Sequence, residues 1–245
     1  MLVDEYIPRA ISILERVRET QRDAMLEAAR LIAEAIAQGR TIYVFGCSHA
    51  SILAAEVFYR AGGLALINPI FAPGLTVDVR PITRTTAIER LEGYARVILD
   101  STPIRAGDVL IVHSVSGRNA VPVEMALEAK RRGLTVVALT SVDYARSVSS
   151  RHSSGKRLHE VADHVLDNCG EPGDAAVDIP GMEQKTGPTS DVVGAAILHS
   201  VVAQVIENLL SRGIVPPVFV SANLDGGDAH NQRILTEYAD RVHYM

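Results

Sequence analysis

The chain has 245 residues, 47% apolar and only 4% aromatic, which is enough for a sizeable core and excludes intrinsic disorder. Lys and Arg number 24 against 29 Asp and Glu, a formal charge of −5 and the wrong sign for tracking a nucleic-acid backbone. Scarce aromatics also argue against a base-stacking platform, while abundant aliphatics favour buried parallel strands covered by Ala-rich helices.

Residues 6–37 read as two helices, with Ile7, Ile11 and Leu14, then Leu26, Ala29, Ala33 and Ile36, at helical spacing. Gly39 supplies a stop, and the period then changes: residues 41–45 form a continuous apolar run that suits a buried strand. A helix from about 51 to 61 closes on Gly62-Gly63, before a short strand at 64–67. Residues 68–86, with three prolines, read as a long loop, followed by a helix near 87–96. A strand at 108–112, a helix at 121–132 and a strand at 135–139 come next. Residues 161–166 read as a helix-to-strand passage, 177–179 as an edge strand and 190–211 as the last helix. Alternating strands and helices imply an α/β fold with a parallel sheet and helices on both faces. No repeat or linker interrupts the pattern, so a single domain is expected.

Ligands of open parallel sheets bind at the carboxyl ends of strands. Three such junctions are rich in small polar residues: 46–51 (Gly-Cys-Ser-His-Ala-Ser), 113–119 (His-Ser-Val-Ser-Gly-Arg-Asn) and 187–191 (Gly-Pro-Thr-Ser-Asp). Helix N-termini offer unpaired N–H groups and a positive dipole end, so such turns can cradle phosphate. Ser116, Asn119, Ser190 and Asp191 read equally as ordinary N-caps. No P-loop or dinucleotide fingerprint is present.

These motifs resemble the SIS (sugar isomerase) domain family. The resemblance rests on Tyr-Val-Phe-Gly-Cys-Ser-His at 43–49, the run from Ala106 to Asn119, Gly-Leu-Thr-Val-Val-Ala-Leu-Thr-Ser at 133–141, and Leu158–Asn168. More narrowly the chain is similar to a bacterial group of single-SIS proteins labelled phosphoheptose isomerases or phosphosugar-binding proteins. That likeness includes Phe-Tyr-Arg-Ala-Gly-Gly at 58–63, Lys-Thr-Gly-Pro-Thr-Ser at 185–190 and Ser-Ala-Asn-Leu-Asp-Gly-Gly-Asp at 221–228. The resemblance implies a three-layer α/β/α sandwich with a mainly parallel, flavodoxin-like five-stranded sheet over residues 39–212. N-terminal helices (1–38) would precede it and a tail (213–245) follow. It also implies a phosphorylated sugar ligand, no cofactor, and a homodimer or higher homo-oligomer with the site at the subunit interface. Ser114 and Ser116, with backbone groups from Gly117 to Asn119, would hold the phosphate. Gly46, Ser48, His49 and Ser51 would face the ligand from the first turn, and Thr189 and Ser190 from the last helix. The first turn departs from the family's Gly-x-Gly-x-Ser, because Ser48 replaces the second glycine and Ala50 the serine.

Aldose–ketose isomerisation needs a base that carries a proton between adjacent carbons. Glu56, seven residues after His49 and able to share its helix face, is the expected base; a solvated or salt-bridged helix carboxylate is the plainer reading. His199 lies in the helix that carries a catalytic histidine in phosphoheptose isomerases, although aligning on Gln204 and Glu207 puts Ser200 there. A hydrogen-bonded interface histidine is the alternative. The segment Asp225–Asn231 fits no metal motif and reads as a structured turn or a substrate lid. No run approaches the ~18 apolar residues of a membrane span, and the first residues do not read as a signal peptide. Cys47 and Cys169 build no disulfide framework, so a reduced cytoplasm is expected. The expected function is sugar-phosphate isomerisation, with a non-catalytic phosphosugar sensor as the alternative and no nucleic-acid or membrane partner.

Overall fold

Five strands, β1 (Ile42–Gly46), β2 (Ile67–Ile70), β3 (Val109–His113), β4 (Thr135–Thr140) and β5 (His164–Asp167), pair in parallel in the order β2-β1-β3-β4-β5. This is the doubly wound flavodoxin-like order. The computed structural model describes residues 1–245.

The apolar runs are buried on both faces because alternate side chains feed two separate cores. Ile42, Val44, Val109, Ile111, Val137 and Leu139 enter one core, packed under α1 (Tyr6–Thr20), α2 (Arg22–Ala37), α3 (Ser51–Val57) and α9 (Ser190–Ser211). Tyr43, Phe45, Leu110, Val112, Val136 and Ala138 enter the other, under α5 (Tyr94–Asp100), α6 (Ala120–Arg131) and α8 (Leu158–Val161).

Several expected boundaries move. The strand expected at 64–67 lies at 67–70: Leu64 instead makes an isolated antiparallel bridge with Val218. The stretch read as one helix near 87–96 divides into α4 (Thr83–Ile88) and α5, because Gly93 takes a left-handed conformation between them (φ 90°). Residues 177–179 form no strand, only a bridge from Val177 to Thr186. Helix α7 (Val142–Ser147) was not signalled by periodicity; Ser141 caps it by accepting the Tyr144 N–H at 3.1 Å.

Helix α9 corrects the expectation about membrane length. It has 22 residues and reaches a mean hydropathy of 1.6, long and apolar enough to cross a membrane by composition alone. Here Val193, Ile197, Val201, Val205 and Leu209 bury it in the core beside α2. The segment 225–231, expected as a turn or lid, begins helix α10 (Gly227–Glu237). Asn231 secures it by accepting the Val220 N–H at 3.0 Å and donating to the Val220 carbonyl at 2.9 Å.

Candidate functional site

Neighbouring strands β1 and β3 are followed by helices that leave to opposite faces, α3 into one layer and α6 into the other. Such divergence opens a crevice at the carboxyl ends of the two strands, where open parallel sheets bind ligands. The turns at 46–51 and 113–119 are therefore brought together.

The first turn is tight. A Cβ on Gly46 would overlap the Ala50 carbonyl and lie 2.9 Å from the Ser51 nitrogen, so only glycine fits. Ser48 takes a left-handed backbone (φ 55°), which a short polar side chain tolerates, and its N–H donates to the Leu75 carbonyl at 2.6 Å. Ser51 is buried, and its hydroxyl donates to the Ser48 carbonyl at 2.6 Å, so its oxygen is held inside the turn. His49 is exposed at the rim.

His113, the last residue of β3, fastens this turn to the next. Its ring is fully buried, and Nδ1 donates to the Ala50 carbonyl at 3.2 Å. Nε2 is also buried and meets no partner. Burial pushes the imidazole down to about 4, so the ring is neutral at pH 7. Its folded pKa lies below the unfolded one, so the unfolded chain takes the proton first. Stability from this group is complete above pH 6.5 and is lost as pH falls towards 4, by about 3 kcal/mol. Denaturant titrations at stepped pH check this: His113→Asn should flatten the acid slope, and an unchanged slope would assign it to other groups.

The second turn is the richest in donors. From Val115 to Ala120, six consecutive backbone N–H groups donate to no acceptor within the chain. Left-handed Gly117 (φ 58°) bends this run, and an added Cβ would sit 3.2 Å from both Leu158 Cβ and Thr140 Oγ1. Ser114 is buried and Ser116 half-buried at the same bend. Consecutive free N–H groups before a helix make a concave anion site. Asn119 is the N-cap of α6 but spends its side-chain oxygen on the Arg151 guanidinium at 2.9 Å rather than on the helix.

The third junction differs from the other two. Asp174, itself left-handed (φ 54°), accepts the N–H groups of Thr189 and Ser190 at 3.2 and 3.0 Å and the Ser190 hydroxyl at 2.6 Å. An internal carboxylate thus occupies the N-terminus of α9, where sequence reasoning expected a ligand contact. Thr189 and Ser190 are both buried beneath it. Beside them, burial raises the Asp191 carboxyl, with nearby His49 opposing the rise, and its Oδ1 is buried without a partner.

Glu56 and His199 do meet, His199 Nε2 lying 3.1 Å from Glu56 Oε1, and Arg60 pairs with the same oxygen. His199 lies nine residues beyond Ser190, roughly 14 Å along the α9 axis. Both side chains are well exposed, at 37% and 43%. The His199 hydrogen bond and the Arg60 charge hold the Glu56 carboxyl below its usual range, which weakens it as a base.

Another acid stands nearer the two turns. Glu89, just beyond α4, accepts the Val121 N–H of α6 through its carbonyl at 3.0 Å. Its carboxyl is half-buried, with Asn119 beside it and the Cys47 thiol within Coulombic reach. Burial pushes that carboxyl up, while Asn119, Arg90 and Arg151 pull it back. A carboxyl raised by burial beside a cleft is suited to proton transfer near neutrality. No spacing in the sequence singles it out. Cys47 is deeply buried, and burial pushes its thiol well up, so it is a packed residue rather than a nucleophile.

A model described as the SIS domain matches residues 5–141. A UPF0309 protein of Shouchella clausii is 51% identical over 243 residues, 99% of each chain. Another, from Oceanobacillus iheyensis, is 49% identical over 241 residues, 98% of each chain. Among solved structures, a phosphoheptose isomerase of Neisseria gonorrhoeae superposes with a TM-score of 0.54 at 19% identity, over 84% of this chain and 97% of that one. One from Francisella tularensis gives 0.53 at 14% identity, over 84% and 96%. At these identities the likeness is one of fold. The parallel sheet, the Ser-x-Ser-Gly turn and the end-to-end match to these relatives agree: the chain belongs to the SIS domain family and, within it, to the UPF0309 group.

Proposed function

We propose that the protein binds a phosphorylated sugar or amino sugar between the first and second turns and isomerises it between aldose and ketose forms. The observation that carries this reading is the run of six free N–H groups from Val115 to Ala120 beside Ser114 and Ser116. A phosphate dianion satisfies such a run without any basic side chain. Gly46, Ser48 and His49 supply the facing wall. Ser51, its hydroxyl already engaged with Ser48, shapes that wall rather than donating from it. Thr189 and Ser190 act through Asp174, which they hold at the edge of the cleft.

Glu89 is the base in this reading. It removes the proton from the carbon beside the carbonyl and returns it to the former carbonyl carbon, as the two oxygens exchange their proton. Glu56 and His199, exposed on α3 and α9, then serve the neighbouring subunit of a cytoplasmic homodimer. Two solved proteins of the same fold are phosphoheptose isomerases, which supports the assignment of reaction class.

The test is a panel of sugar phosphates in deuterated buffer, followed for solvent-deuteron uptake and for binding by calorimetry. Ser114→Ala with Ser116→Ala should weaken phosphosugar binding about a hundredfold, since each removes a hydrogen bond to a charged group. Unchanged binding would overturn the cradle. Binding without exchange across the panel would favour the sensor.

A further inference from the structure

Two separate segments converge on the start of α6. Residues 89–93 arrive through the Val121-to-Glu89 bond, and the loop after α7 arrives through Arg151, whose N–H donates to the Arg118 carbonyl at 2.7 Å. Glu92 binds that loop down, accepting the Ser153 N–H and hydroxyl, each at 2.6 Å. The convergence brings Arg90, Arg118 and Arg151 together beside the cradle. Arg118 reaches out to the Ser149 hydroxyl at 3.2 Å, and Arg151 to Asn119 at 2.9 Å. Neither guanidinium turns back onto Ser114 or Ser116.

None of the three arginines forms an ion pair within the chain, in contrast to Arg30, Arg60, Arg131 and Arg157, each paired with a glutamate three or four residues away. The Arg118 Nε is buried with no acceptor. Of the two acids at hand, Glu92 is engaged on Ser153, and Glu89 attracts Arg90 and Arg151 through space without forming an ion pair with either. Burial, followed by repulsion from Arg118 and then Arg90, holds the Arg151 guanidinium below its usual range. With no carboxylate in ion-pair contact, the three guanidiniums keep planar forks free that match a carboxylate or phosphate.

We propose that Arg90, Arg118 and Arg151 form a second anion subsite, so that the ligand is a sugar phosphate carrying a further anionic group, a carboxylate or a second phosphate. This rests on the reading of the 115–120 turn as the primary phosphate cradle. The subsite discriminates between ligands. The backbone donors anchor the common phosphate, and the arginines select the sugar that is charged at its other end.

The experiment uses matched probes of one chain length: glucitol 6-phosphate, 6-phosphogluconate and glucitol 1,6-bisphosphate, titrated into the full-length protein by calorimetry. At least one of the doubly anionic probes should bind about tenfold or more tightly than glucitol 6-phosphate, the gain of one charge-assisted contact. Which one gains identifies the second group. Arg90→Gln with Arg151→Gln should erase that advantage and leave glucitol 6-phosphate affinity within about twofold. If glucitol 6-phosphate binds and neither doubly charged probe gains, the subsite is overturned while the cradle stands. If the double variant weakens all three probes equally, the arginines serve the cradle itself and the subsite is again overturned. If no probe binds the parent protein, the cradle reading fails and the subsite with it.

Discussion

Glu89→Gln is expected to lower turnover on a sugar-phosphate substrate about 1000-fold, the scale of a lost general base. The dissociation constant should stay within about threefold, because the substituted side chain keeps its size and its capacity to hydrogen-bond. Asn119 can still pair with it, so the start of α6 is undisturbed. The pH profile separates this role from a structural one. A base raised by burial must lose its proton to act, so kcat/KM should climb with pH through a value above the ordinary glutamate range. In Glu89→Gln that limb disappears. Glu56→Gln is the counter-test. In that variant His199 and Arg60 lose their shared charge, and an acid limb that survives there points away from Glu56. Full turnover in Glu89→Gln, or its loss in Glu56→Gln alone, would return the base to the surface pair.

The contrast between the two acids shows where sequence was legible. Strands β1, β3 and β4 are continuous apolar runs, and a run of that kind fits only a position buried on both faces. The turns that follow them inherit their place from the strands, so Gly46, Ser114 and Ser116 could be located before any coordinates. Strand β2 was harder. Leu64 to Leu66 are as apolar as a strand, yet their burial comes partly from the chain after α9, through the Leu64–Val218 bridge and Phe219. That partner lies some 150 residues away, and local pattern cannot announce it.

Glu89 was hidden for a similar reason. In Ala-Ile-Glu-Arg-Leu-Glu it reads as one of many solvated carboxylates; only the bond from Val121 draws it against α6. Asp174 was hidden by its loop. A helix N-terminus asks for an acceptor, and sequence alone cannot tell a ligand from a carboxylate of the same chain. Thr189 and Ser190 were therefore legible as donors, but not their acceptor.

Gly46→Ala is expected to remove about 4 kcal/mol of stability, from an overpacked turn together with a lost buried hydrogen bond. The atoms that a Cβ would strike, the carbonyl of Ala50 and the nitrogen of Ser51, are backbone and cannot rotate aside. The Ala50 carbonyl is also the acceptor for His113 Nδ1. Pushing it away strips a fully buried ring of its sole partner, since Nε2 has none. For a chain of this length that loss lowers the melting temperature by roughly 10 °C. Binding should fail in the same variant, because the wall of the cleft facing the 115–120 donors moves with Ala50. Gly155→Ala is the control: its Cβ would meet open space, and only the left-handed backbone opposes it, at about 1 kcal/mol. If Gly46→Ala melts no lower than Gly155→Ala, the turn yields without cost, and the His113–Ala50 bond cannot be what holds the two halves of the cleft in register.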